Sequence, residues 1–281
     1  MTMELLLQPF EYAFMQNAFY ICMLVAVPTA LLSCFLVLKG WALMGDAVSH
    51  AVLPGIVLAY IFNLPLILGA FAAGMTCSIA TGYLSYNSRI KQDTVMGVVF
   101  SGMFGIGIVL YVSIDTNAHL DHILFGNMLG VEPDEMWTAG IISALVSAII
   151  ALKWRDILLH SFDPAQAQAS GLSVNIIHYG LLTALSLTIV ATLSAAGLIL
   201  AIGLLIAPGA IAFLVTRKFS SMLTVAVVAN LLCMLGGTYL SFHLDSAPAP
   251  TIILVLTAFF ILAFSVRIWR VKRASMKQVH A

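Results

Sequence analysis

Charge is what this 281-residue sequence has least of. Asp, Glu, Lys and Arg make up 9% of it, against about 25% in soluble domains, which is too little to coat a water-facing surface. That scarcity excludes a soluble enzyme. The signs also cancel, 12 basic against 12 acidic residues, so charge points to no nucleic-acid partner. No lysine stands in a Gly-x4-Gly-Lys-Ser/Thr frame and no His-Glu-x-x-His occurs. The chain therefore has no phosphate-binding loop for ATP and no zinc-protease helix. Cysteine is sparse: Cys22, Cys34, Cys77 and Cys233 lie inside apolar runs, without the paired spacing of a zinc ribbon or redox motif. They are expected to be small apolar packing residues, not a disulfide framework. No Lys or Arg precedes Lys39, which denies the N-terminus the basic region of a secretory signal, and no cleaved presequence is expected.

What the sequence has in excess is apolar surface, at 62% hydrophobic residues. Crossing the hydrocarbon takes about 20 apolar residues as a helix. Nine such runs occur, near 17–38, 42–62, 64–86, 94–114, 136–152, 176–194, 197–216, 222–243 and 250–269. The run at 42–62 is polar for a span and the one at 136–152 is short. A further patch, Ile123 to Val131, is too short to cross and suits a re-entrant or interfacial piece. The expectation is an all-α, polytopic membrane bundle of about nine helices, forming a single transmembrane domain over 1–281. Orientation follows from the bases, because cytoplasmic loops collect Lys and Arg. With the N-terminus outside and the C-terminus cytoplasmic, all 12 fall on one side: Lys39, Arg89, Lys91, Lys153, Arg155, Arg217, Lys218, Arg267, Arg270, Lys272, Arg273 and Lys277. The outer loop from 115 to 135 then holds Asp115, Asp121, Glu132, Asp134 and Glu135 and no base. An echo between Leu53-Pro54-Gly55-Ile56 and Ala207-Pro208-Gly209-Ala210, in runs of opposite direction, has the form of an inverted repeat. Four residues are no more than chance supplies.

The strongest local anomaly is Gly45 to Gly55, which puts an acid and an imidazole inside a membrane run. Burying an Asp there costs roughly 2.5–3.5 kcal/mol even on the lenient insertion scale, so it lines a polar cavity or finds a partner. Asp46 and His50 are spaced i, i+4, which stacks them on one helix face as in metal-binding histidine pairs. Carboxylate plus neutral imidazole suits a divalent transition metal better than an alkali ion. The bland alternative is an Asp near a helix end, solvated or hydrogen-bonded to His50. Ser49 beside His50 does not make a nucleophile and base, since adjacent residues point to different faces. A second feature is the loop from Lys153 to Asn175. Within it Asp163 can cap, Pro164 fits a first helical position, the Ala/Gln run favours helix, and Gly171 can close it. This short surface helix is either a docking element or a connector. His119, Asp121 and His122 in the acidic outer loop could pass a metal inward, and a solvated polar loop explains them equally. His243 and Asp245, at i, i+2, end an outer helix and read as structural. His160, His178 and His280 receive no role.

Taken together, Gly45 to Gly55, Phe162-Asp163-Pro164 to Gly171-Leu172, Gly197 to Ala212, and Leu244-Asp245-Ser246 with the Thr251 to Leu256 run resemble the permease subunits of ATP-binding-cassette importers for manganese, iron and zinc. The likeness spans nearly the whole chain, and the first motif is its specific part. It implies that Asp46 and His50 line a metal path and that Asp163, Pro164 and Gly171 shape a helix coupling to a separate cytoplasmic ATPase, where ATP is bound. It implies no permanently bound cofactor, a transported Mn2+, Fe2+ or Zn2+ ion with manganese or iron favoured, an extracytoplasmic metal-binding protein, and a second permease chain, identical or sister. The location implied is the bacterial inner membrane. Two other classes compete on the residues alone. A self-contained secondary metal or proton-coupled transporter or channel would use Asp46 to relay charge, and would copurify without an ATPase. An intramembrane enzyme would be active as the purified chain.

Overall fold

The computed structural model describes residues 7–41, 43–113 and 128–279. After a short 3-10 turn at Gln8–Phe10 the chain forms eleven helices among the described residues: α1 (Ala13–Lys39), α2 (Met44–Ala51), α3 (Leu53–Ile61), α4 (Leu66–Asn87), α5 (Gln92–Val112), α6 (Pro133–Phe162), α7 (Pro164–Ala169), α8 (Val174–Ala196), α9 (Leu198–Val215), α10 (Phe219–His243) and α11 (Pro248–Val279). Counting α2 and α3 as one interrupted crossing, nine segments among the described residues are long and apolar enough to span a membrane. No strand occurs among them. The expected all-α bundle is what the chain forms.

Two expectations are corrected by α6. The run at 136–152 is not short, and the stretch from Lys153 is not loop. At 30 residues and 1.5 Å per residue, α6 is about 45 Å long, well beyond a hydrocarbon core of about 30 Å. Its last turns, carrying Lys153, Arg155 and Asp156, extend the span as polar helix, so the true connection to α8 begins at Asp163. The other end of α6 is fixed by a capping box: the Glu132 amide donates to Glu135 Oε2 at 3.2 Å, and the Glu132 side chain accepts in return from the amide of that same residue.

α1 runs through the centre of the bundle, packed against α6, α9 and α10. Lipid-soluble helices gain little from hydrophobic burial against one another, so close approach and interhelical hydrogen bonds must hold them. Both occur. Asn230 on α10 is fully buried and donates from Nδ2 to the Ala26 carbonyl at 2.9 Å and to Thr29 Oγ1 at 3.0 Å, both on α1. Gly209 lets α9 approach the Ser33 carbonyl of α1, where a Cβ would lie at 2.5 Å. Gly55 and Gly69 do the same for α3 and α4, each occupying the space a Cβ on the other would need. The two Pro-Gly pairs of the sequence echo thus serve separate contacts with different partners. All four cysteines are buried and free, as their apolar setting required.

The helix ends sort by charge. Trp41 Nε1 donates to Gln92 Oε1 at 2.9 Å, Trp154 packs on Phe219 with ring centroids 6.1 Å apart, and Arg267 donates to the Leu214 carbonyl at 3.2 Å. These contacts tie α1, α5, α6, α9, α10 and α11 together at the end where Lys39, Arg89, Lys91, Arg217, Lys218, Arg270 and Lys272 also lie. The opposite end carries Glu11, Glu132, Asp134, Glu135 and Asp245, and no Lys or Arg among the described residues.

Candidate functional site

At the basic end α1 stops at Gly40, whose positive φ of 69° closes the helix, and the Trp41 amide reaches back to the Leu36 carbonyl at 2.8 Å. The chain re-enters the bundle as α2. That helix ends after Ala51 because Pro54 has no amide to give the His50 carbonyl four residues earlier. α3 then starts with Pro54 in its first turn. The result is a proline-interrupted helix within a segment long and apolar enough to span a membrane, with Val52 at the junction still in the helical region at φ −68° and ψ −27°.

Asp46 and His50 lie on α2, one turn apart as the spacing required. His50 Nε2 is 3.3 Å from Asp46 Oδ1, and the two side chains are 30% and 34% exposed while their neighbours Gly45, Ala47, Val48 and Ser49 are buried. The pair therefore forms the one open edge of an otherwise packed helix. Gly45 lets α2 lie against Leu205 of α9, and Val48 sits against Gly74 of α4. The imidazole is held by two rings of α5, Phe104 edge-on at 5.3 Å and Phe100 stacked at 6.0 Å. Ser49 Oγ donates to the Gly45 carbonyl at 2.7 Å, so its hydroxyl is spent within the helix and cannot serve as a nucleophile paired to His50. Among the described residues no third His, Cys, Asp or Glu completes a metal-binding group. At this edge the described residues thus place one carboxylate beside one imidazole.

The surface helix α7 has the form its sequence required. Asp163 Oδ1 accepts the Gln166 amide at 2.9 Å, Pro164 takes the first helical position, and Gly171 at φ 81° closes the helix. The closing bonds run from the Gly171 amide to the Gln168 carbonyl and from the Leu172 amide to the Ala167 carbonyl, both 3.0 Å, which is a Schellman closure. His119, Asp121 and His122, with most of the Ile123–Val131 patch, lie outside the described residues. His243 packs its ring on Tyr239 and Phe242, with centroids 4.7 and 5.6 Å away, which accounts for it as a packing residue. The sequence did not bring His160 and His178 together. The structure does, with ring centroids 6.1 Å apart beside α7. They sit on different helices, and reading Lys153 onward as loop hid the helix that carries His160.

Nine helices among the described residues long and apolar enough to span a membrane, one of them carrying an acid and an imidazole on its open edge, define a polytopic membrane protein of the transporter class. The ABC 3 transport family matches this chain over residues 11–267, and the chain belongs to that family. It is similar to a Haemophilus influenzae protein described as a probable iron transport system membrane protein, at 52% identity over 260 residues, 92% of this chain and 96% of the relative. It is similar also to the manganese transport system membrane protein MntB of Synechocystis, at 43% identity over 258 residues, 92% of this chain and 84% of the relative. Among solved structures, PsaBC from Streptococcus pneumoniae in complex with Fab superposes with a TM-score of 0.81 at 34% identity, over 92% of both chains. The chain is thus a permease subunit of an ABC metal importer, a multi-pass membrane protein and not an enzyme. In this family the ATPase is a separate subunit.

Proposed function

We propose that this permease passes manganese or iron, in preference to zinc, inward along a path lined by Asp46 and His50. The observation that carries the reading is the 3.3 Å carboxylate–imidazole pair on the open edge of α2. The relatives named for iron and manganese transport support the choice of ion, and a mixed oxygen and nitrogen donor set suits such ions. Two protein ligands hold an ion weakly. A second permease chain, identical or sister, meeting this edge would bring two carboxylates and two imidazoles to one ion, with water filling any further position. Moderate affinity is what conduction needs, since the ion must leave as well as enter.

The single transmembrane domain lies in a bacterial inner membrane with its N-terminus outside and its basic end cytoplasmic, the orientation that places every base inside. An extracytoplasmic metal-binding protein then delivers the ion to the acidic end, where His119, Asp121 and His122 receive it. On the cytoplasmic face α7, held by Asp163, Pro164 and Gly171, docks on the ATPase that binds ATP. The test is ATP hydrolysis by the complex reconstituted with its ATPase and binding protein. Manganese or iron should stimulate turnover more than zinc does; no stimulation by any of the three overturns the proposal.

A further inference from the structure

Directly beside α7 lie two histidines that the proposed path does not use. His160, in the last turn of α6, is 3% exposed, and neither of its ring nitrogens has a hydrogen-bond partner. Buried polar groups are nearly always paired, so an unpaired imidazole needs a reason. His178, in the second turn of α8, presents its ring at 75° to that of His160 with centroids 6.1 Å apart. Both rings line a cavity of about 550 Å³ whose wall also includes Gln92, Asn175, Ser85 and Pro164, the first residue of α7. Gly82 of α4 faces His178 Nε2, where a Cβ would stand 3.6 Å from that nitrogen, at ordinary contact. Lys39 is drawn over the Trp41 ring at 4.4 Å, and the indole in turn packs edge-on against His178 at 5.5 Å.

The spacing is close to that of a shared ion. Zinc–imidazole bonds of about 2.0–2.1 Å put the metal roughly 3.2 Å from each ring centroid, and a tetrahedral angle then sets two ligating rings roughly 5.2 Å apart. The observed 6.1 Å leaves the rings about 0.9 Å to close, by rotation about their side-chain bonds, when an ion of that geometry binds. Imidazole without a carboxylate favours zinc and its borderline neighbours over manganese. No third His, Cys, Asp or Glu among the described residues joins the pair, which leaves the remaining positions to water and to the neutral oxygens of the cavity wall.

We propose that His160 and His178 form a second metal site, for a borderline divalent ion of the zinc class, that clamps the two helices on either side of α7. An ion there ties the end of α6 to the start of α8 and fixes the helix between them. On the importer reading, with this end cytoplasmic, zinc inside the cell would then hold the docking helix still and slow ATP-driven transport. Zinc binding itself does not depend on that reading.

Calorimetric titration of the purified full-length chain with zinc tests the site. In the Asp46→Asn chain, which has lost the path ligand, zinc binding at the second site should persist. Adding His160→Gln or His178→Gln to that chain should weaken it at least tenfold. His178 is only half-buried, so if the His160 variant does not purify as a monodisperse chain, His178→Gln decides alone. A loss of less than tenfold overturns the site. In the reconstituted complex, zinc on the ATPase side should lower manganese- or iron-stimulated hydrolysis, and His178→Gln should escape that inhibition at an unchanged basal rate. Inhibition that persists in the variant overturns the clamp. Should no metal stimulate hydrolysis at all, the importer reading fails, while the titration still decides the site.

Discussion

Asn230 shows what a single polar residue does in a bundle with little else to hold it. Its amide bridges α10 to α1 through the Ala26 carbonyl and Thr29 Oγ1, in surroundings where no water offers a substitute. Interhelical hydrogen bonds of this kind contribute roughly 0.6–1.7 kcal/mol. Asn230→Ala should therefore lower the melting midpoint of the purified chain in detergent while leaving the Asp46 edge intact; an unchanged midpoint would show that the bond contributes nothing. At this scale the sequence was legible wherever the geometry is local. Asp46 and His50 follow from helix arithmetic alone, because i, i+4 fixes their shared face. Ser49 follows likewise, and its hydroxyl is bonded to the Gly45 carbonyl. His160 and His178 were invisible because their proximity is tertiary: no spacing along the chain announces that the end of α6 meets the start of α8.

At the scale of the element, α7 was readable almost to the atom. Capping is chemistry between near neighbours, so Asp163, Pro164 and Gly171 declare a helix before any tertiary contact is known. The length of α6 was not readable. Counting apolar residues finds the part of a helix that lies in lipid and stops at Lys153, although nothing about Lys153, Arg155 or Asp156 prevents the helix continuing into water. The break between α2 and α3 was half-legible: Pro54 forbids the His50 carbonyl its helical donor, yet whether a proline kinks or divides a span is settled by packing against α4 and α5. If α7 docks the ATPase, its closure matters more than its composition. Gly171→Val forces a β-branched residue to φ 81° at a cost on the order of 1 kcal/mol or more. Copurification with the ATPase should fall before the chain's own folding suffers; normal assembly and normal transport would make α7 a connector.

For the whole molecule, the nine candidate spans among the described residues were legible because a bilayer leaves few ways to satisfy a backbone, and the gathering of bases at one end supplies the expected direction. Phosphatase fusions check that direction: a fusion after Asp245 should be active on the outer side and one after Lys277 silent, and the reverse pattern would invert the topology. Among the described residues no group of three or more His, Cys, Asp or Glu could hold a metal ion, and the Asp46–His50 edge presents one carboxylate and one imidazole, each about a third exposed. Two such edges are how a permease assembled from two chains would hold an ion briefly between them. The most direct measurement of this account is uptake of radioactive manganese or iron by the assembled importer carrying Asp46→Asn or His50→Ala. The first keeps the side chain's size and removes its charge; the second removes the imidazole from an edge already open to its surroundings, so neither should disturb insertion or ATPase assembly. Uptake should fall to background in both. If both variants insert, assemble and accumulate metal at the parental rate, the pair is structural and the ion crosses elsewhere.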